Sequence, residues 1–207
     1  MIHYAAAPSG SSPTLLVLAH GAGAGQRHPF MVATARGLAE RGIDVVTFDF
    51  PYMQQKRKVP DKAPVLEAAF RKAIAEALGH VTPEHALFIG GKSMGGRMAT
   101  HLAAQKQAGV RGVVALGYPL HPPGKPDQLR AAHLPSIDVP LLIVQGERDT
   151  FGTPEELRPV LRTLSAPVTL HVVEGGDHSL TTRGRRPAGG GTYATVLDTV
   201  AAWIQRT

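Results

Sequence analysis

HALFIGGKSMGGRMAT, residues 85–100, is the stretch whose reading decides the fold. An apolar run, Ala86-Leu87-Phe88-Ile89, ends in Gly90-Gly91-Lys92-Ser93-Met94-Gly95-Gly96, and an Ala/Met/Leu-rich helical pattern follows. Gly91-Lys92-Ser93-Met94-Gly95 fits G-x-S-x-G, the sharp strand-to-helix turn that exposes a nucleophilic serine. The turn is so tight that a Cβ beside the serine would collide with the adjoining strand or helix, hence the glycines. A phosphate-binding loop, G-x-x-x-x-G-K-[ST], fits less well. Its first glycine would fall on Ala86, and the residues between are apolar and read as strand.

Outward from this turn, apolar runs alternate with helical patterns along the whole chain. That alternation predicts a parallel sheet covered on both faces. Strands are expected at 14–19, 45–48, 86–89, 112–116, 140–144 and 168–173. Helices are expected from Pro29 to Arg41, from Ala63 to Leu78, after Ser93, and at the C-terminal end around Val196, Val200 and Trp203-Ile204. Residues 53–62 read as a surface loop. Between 118 and 138 only a weak helical piece near 127–133 is expected, too little for a lid or cap. Thr153-Pro154-Glu155-Glu156 opens a helix that Pro159 should bend or break. With no repeat or linker, the 207 residues read as one domain.

Composition narrows the classes. Apolar residues make up 43% and mean hydropathy is −0.05, and no run approaches the roughly 20 apolar residues of a membrane span. The first residues, MIHYAAAPSG, do not read as a signal peptide, so a cytoplasmic protein without membrane association is expected. Zero Cys excludes disulfides and a thiolate nucleophile. The net charge is +6, but the basic groups Lys56-Arg57-Lys58 and Arg71-Lys72 come without a nucleic-acid motif, and a solvated basic surface is the better reading. No His, Asp and Glu set has metal-ligand spacing, so neither metal nor cofactor is expected.

In a parallel sheet, the loops at the carboxyl ends of the strands share one edge. Ser93, Asp149 and His178 fall at three such ends, in the order Ser…Asp…His. A serine needs a base within hydrogen-bond reach, itself oriented by an acid. This order is the one associated with α/β-hydrolases. Asp177 reads as a turn residue, because an adjacent side chain seldom reaches its neighbour's imidazole. His20 reads as a structural residue of its loop, and His101, His133 and His171 lie away from the edge.

LAHGAGAG (18–25), GGKSMGGRMA (90–99), GYPLHPPGKP (117–126), GERD (146–149) and GGDHSL (175–180) together resemble the small, lidless α/β-hydrolases related to dienelactone hydrolase. They resemble in particular the group that includes testis-expressed protein 30. The resemblance implies a three-layer α/β/α sandwich with a mostly parallel sheet, an eight-strand plan trimmed at its N-terminal edge, and no cap domain. Dienelactone hydrolases proper use a Cys nucleophile, which this chain does not have. By position, Ser93 would attack a carbonyl, His178 would move its proton, and Asp149 would hold the imidazole. The oxyanion donors would be Met94 and Ala22, with Gly23 as the substitute for Ala22.

These readings imply a serine hydrolase for a small carboxylic ester or thioester, with an open site that favours short chains. His121 is expected to line the pocket. Arg183, with Arg185 and Arg186, reads either as a hold for an anionic substrate group or as a solvated basic loop, and Arg97, one turn behind Ser93, either projects toward the site or is buried. The rival classes are a catalytically silent scaffold of the same fold and a nucleotide binder. The nucleotide reading is weak, since Gln26 stands where G-x-G-x-x-G needs its third glycine. The sequence does not fix the oligomeric state.

Overall fold

The run Leu15-Leu16-Val17-Leu18-Ala19 explains the architecture, because it can be buried only by covering both of its faces. In the computed structural model, which describes residues 1–7, 13–182 and 191–207, every residue of β2 (Thr14–Ala19) is buried. Leu15, Val17 and Ala19 point into one core cluster, and Leu16 and Leu18 into a second on the opposite face. This period-2 division is what a pleated strand imposes.

The other strands are β1 (Ile2–Tyr4), β3 (Asp44–Phe48), β4 (Ala86–Lys92), β5 (Val110–Leu116), β6 (Leu141–Gly146) and β7 (Val168–Val173). They form one seven-stranded sheet in the order β1-β3-β2-β4-β5-β6-β7. All neighbours are parallel except β1, which runs antiparallel to β3 with Ile2 opposite Thr47. One face is covered by α1 (Pro29–Ala39) and α6 (Gly191–Arg206), and the other by α3 (Ala63–Leu78), α4 (Met94–Ala104) and α5 (Pro154–Leu161). The result is the three-layer α/β/α sandwich expected, with a seven-strand, mostly parallel sheet.

Four local expectations change. The segment read as a loop from 53 begins with the short helix α2 (Pro51–Gln54). Residues 127–133 form no helix, and only Leu134–Ser136 makes a single 3-10 turn. α5 runs through Pro159 and ends two residues later. The helix is so short that the missing proline N–H costs one backbone bond near its end. A capping box between Thr153 and Glu156 fixes its start: the Glu156 N–H donates to Thr153 Oγ1 at 3.3 Å, and the Thr153 N–H to Glu156 Oε2 at 2.8 Å. β1 was not foreseen, since three residues carry too little periodicity to read. No helix among the described residues is long and apolar enough to cross a membrane.

Candidate active site

β4 delivers Ser93 at the carboxyl edge of the sheet, and α4 begins at the next residue. Ser93 holds φ 51° and ψ −114°, a conformation costing on the order of 1–3 kcal/mol for a residue with a Cβ. The Ser93 N–H is tied to the carbonyl of Leu116, at the end of the neighbouring strand, at 2.9 Å. The two flanking glycines permit this packing. A Cβ at Gly95 would lie 2.4 Å from the Ala19 carbonyl oxygen, and one at Gly91 would lie 2.5 Å from the same atom.

β6 and β7 bring the other two side chains to this edge. Asp149 is 1% exposed. Its carboxylate accepts from the Phe151 N–H at 2.8 Å and from Gln145 Nε2 at 2.8 Å. Both oxygens also face His178 Nδ1, at 2.9 and 2.8 Å. A carboxylate that accepts from all sides places the imidazole proton on Nδ1. Nε2 is then an acceptor, 2.8 Å from Ser93 Oγ. The Phe151 ring stacks on the imidazole, with centroids 4.1 Å apart and planes 28° from parallel. Ser93, His178 and Asp149 therefore form one hydrogen-bonded chain.

Lys92 stands beside it. Its ammonium donates to the His178 backbone carbonyl at 2.6 Å and lies 5.8 Å from the Phe30 ring centroid. Burial pushes its pKa down to about 8, against the pull of Asp149 and Asp177.

The loop after β2 is fixed from beneath. The Phe50 N–H donates to His20 Nε2 at 3.0 Å, so His20 carries its proton on Nδ1 and donates it to the Gly21 carbonyl at 2.8 Å. Burial lowers the His20 pKa and favours this neutral form. The Tyr52 hydroxyl donates to the Ala22 carbonyl at 3.0 Å. His20 is thus a brace for the loop. Ala22, Gly23 and Met94 line the same cleft as Ser93 and His178. Met94 is the first residue of α4, where the N–H has no partner within the helix.

This cleft encloses about 980 Å³, near the upper end of the ~300–1,000 Å³ usual for ligand sites. Its apolar wall includes Phe30, Met31, Leu66, Pro119 and Tyr193. It is roomier than the missing cap suggested. Arg97, for which the sequence left burial and projection toward the site equally open, lines it, and so does Arg130, which the sequence did not single out.

Other expected residues fall elsewhere. His121 is not among the residues lining the cleft, which corrects the expectation. It is buried, its Nδ1 meets the Pro122 carbonyl at 2.9 Å, and its Nε2 faces Glu156 of α5 at 3.3 Å. Asp177 closes a turn, accepting from the Ser179 and Thr181 N–H groups. Arg183, Arg185 and Arg186 lie outside the described residues. Among the described residues no His, Cys, Asp and Glu group is arranged to hold a metal ion. Besides Arg130, the residues that sequence reasoning missed are Gln145, Phe151 and Lys92. Only Gln145 left a signal, a polar residue at the end of the buried run Leu141-Leu142-Ile143-Val144.

Solved structures share this fold. A dienelactone hydrolase from Anabaena variabilis is 20% identical, with a TM-score of 0.71 over 96% of this chain and 88% of that one. A lidless α/β serine hydrolase from Xanthomonas campestris is also 20% identical, with a TM-score of 0.70 over 99% of this chain and 85% of that one. The esterase domain of a Rhodothermus marinus protein is 17% identical, with a TM-score of 0.68 over 97% and 90% of the two chains. At these identities the likeness speaks for the fold alone. Residues 12–207 match the family described as alpha/beta hydrolase domain, nearly the whole length. The chain belongs to the alpha/beta hydrolase domain family.

Proposed function

We propose that the protein is a serine hydrolase that cleaves a carboxylic ester or thioester through an acyl-enzyme on Ser93. The observation that carries this reading is the continuous chain Ser93 Oγ–His178 Nε2 and His178 Nδ1–Asp149, at 2.8–2.9 Å throughout. Ser93 Oγ attacks the substrate carbonyl as its proton passes to His178 Nε2. The oxyanion that forms accepts from the Met94 and Ala22 N–H groups, with Gly23 beside them. His178 then protonates the departing alcohol or thiol. A water follows the same path, losing a proton to His178 and releasing the acid and Ser93.

The preference for small esters belongs to this proposal and rests on the missing cap: the connection over 118–138 is too short to close a tunnel around a long acyl chain. Membership of the group that includes testis-expressed protein 30 belongs to the same proposal, carried by GGKSMGGR, GYPLH and DHS. A fluorophosphonate probe tests the nucleophile. Wild-type protein should be labelled at Ser93, Ser93→Ala should not, and 4-nitrophenyl esters should be turned over by the first only. A wild-type protein that neither labels nor hydrolyses any ester of the series would be a silent scaffold.

A further inference from the structure

Arg97 and Arg130 enter the same cleft from two different elements. Arg97 lies on α4 one turn beyond Ser93, and Arg130 lies in the irregular connection between β5 and β6. The Arg130 backbone is held at both ends: its N–H donates to the Leu120 carbonyl at 2.7 Å, and its carbonyl accepts from the Tyr118 hydroxyl at 2.7 Å. The Arg97 Nε is enclosed and has no hydrogen-bond partner. Neither guanidinium forms an ion pair or a side-chain hydrogen bond among the described residues.

The nearby carboxylates are already engaged. Glu67 faces His101 at 2.9 Å and accepts from Gln105 at 2.9 Å. Asp61, the carboxylate among the described cleft-lining residues, is paired with Arg57 through Oδ1 at 2.7 Å, while its enclosed Oδ2 has no hydrogen-bond partner. Lys92 also lines the cleft, but its ammonium is directed at the His178 carbonyl. Burial, and after it the charge of Arg130, both lower the pKa of Arg97. Two like charges left unpaired in a partly dry wall oppose folding in the empty protein, and an anion between them would reverse that. The planar guanidinium fork matches the paired oxygens of a carboxylate or phosphate and keeps its charge at any working pH.

We propose that Arg97 and Arg130 form an anion subsite of this cleft, so that the substrate of Ser93 is an ester carrying a second, negatively charged carboxylate or phosphate group. The group takes no part in bond making. It is held while water splits the acyl bond at Ser93, and it leaves unchanged on one of the two products. The inference rests on the serine-hydrolase reading for its substrate, but the subsite can be tested apart from turnover.

The test compares kcat/KM within matched pairs. 4-Nitrophenyl adipate against its methyl ester places a carboxylate on the acyl side. 4-Acetoxybenzoate against its methyl ester places one on the leaving group, and 4-acetoxyphenyl phosphate against 4-acetoxyanisole does the same for phosphate. In at least one pair the charged member should be favoured roughly tenfold to hundredfold, the range of charge-assisted hydrogen bonds. That ratio should collapse in both Arg97→Ala and Arg130→Ala, and should shrink with added salt. Arg130→Ala alters an irregular connection and carries the test if Arg97→Ala does not fold. Absence of any charged preference, or a preference that survives both substitutions, overturns the subsite. If no ester is turned over, calorimetry of adipate and inorganic phosphate with Ser93→Ala decides: binding that requires both arginines upholds the subsite, and no binding sinks it.

Discussion

The Lys92 ammonium donates to the backbone carbonyl of His178 at 2.6 Å. The residue immediately before the proposed nucleophile therefore holds the chain segment that carries the proposed base. The link crosses from the end of β4 to the loop after β7, on two strands that are not neighbours in the sheet. If it positions His178, Lys92→Met should lower kcat roughly tenfold, the weight of one hydrogen bond from a charged donor, with KM nearly unchanged. Stability should not fall with it, because the substitution also removes a half-buried charge. Kinetics and thermal melts on the same preparation check both parts. An unchanged kcat would leave Lys92 as packing.

The same lysine makes a pH prediction. Its pKa is about 8 in the folded protein, against an ordinary value of 10.5. The unfolded chain therefore holds this proton more tightly than the folded one, and charge on Lys92 opposes folding below about pH 8. The opposition fades between the two values, so stability should rise with pH across that window. Urea midpoints of wild type minus Lys92→Met should climb from about pH 8 to 10.5 and be flat below. A difference that falls with pH would mean the ammonium is stabilised where it sits.

Gln145 offers a different separation of stability from function. It is fully buried, and its amide serves four groups at the end of β6. Its Oε1 accepts from the Tyr118 N–H at 2.7 Å, and its Nε2 donates to Asp149 at 2.8 Å, to the Gly152 carbonyl at 2.7 Å and to the Tyr118 carbonyl at 3.2 Å. Gln145→Leu keeps the volume and takes the partner from the Tyr118 N–H and the Gly152 carbonyl, at about 1–3 kcal/mol for each group that water cannot reach, while Asp149 keeps His178 and the Phe151 N–H. Denaturation should show a loss of roughly 3 kcal/mol or more. Turnover should fall as well, because Asp149 loses a donor that fixes its carboxylate. A stable variant with full activity would contradict the network.

The parts of this molecule that were legible in sequence are those fixed by short-range pattern. Gly91 and Gly95 announce the turn because only glycine fits against the Ala19 carbonyl, and the buried strands announce themselves by unbroken apolar runs. Ser93, Asp149 and His178 could be aligned because parallel topology alone puts their loops on one edge. What could not be read depends on which atoms meet across loops. Phe151 stacks on His178 only through the fold of the connection after β6, and Arg130 reaches the cleft from a connection without regular structure. His121 misled because its place in the chain is near the edge, while its ring turns toward Glu156. β1 escaped because three residues pair only once β3 is present to receive them.

The last prediction concerns the hydrogen-bonded chain as a unit. Ser93 Oγ and His178 Nε2 lie 2.8 Å apart, and the imidazole is already oriented by Asp149 on its far side. In the proposed mechanism neither residue has a use without the other: an unassisted hydroxyl is a poor nucleophile, and an imidazole with no hydroxyl before it has no proton to move. Ser93→Ala and His178→Ala should each lower kcat by about 10⁴–10⁶, and the double variant should lose little beyond either one. Binding should survive, because the cleft walls and the arginines are untouched, so KM or the affinity for an unreactive ester analogue should change only slightly. Single-turnover assays on the three variants, with far-ultraviolet dichroism to verify folding, make the comparison. Losses that multiply in the double variant would show two residues acting independently, and the chain Ser93–His178–Asp149 would then not be the working unit.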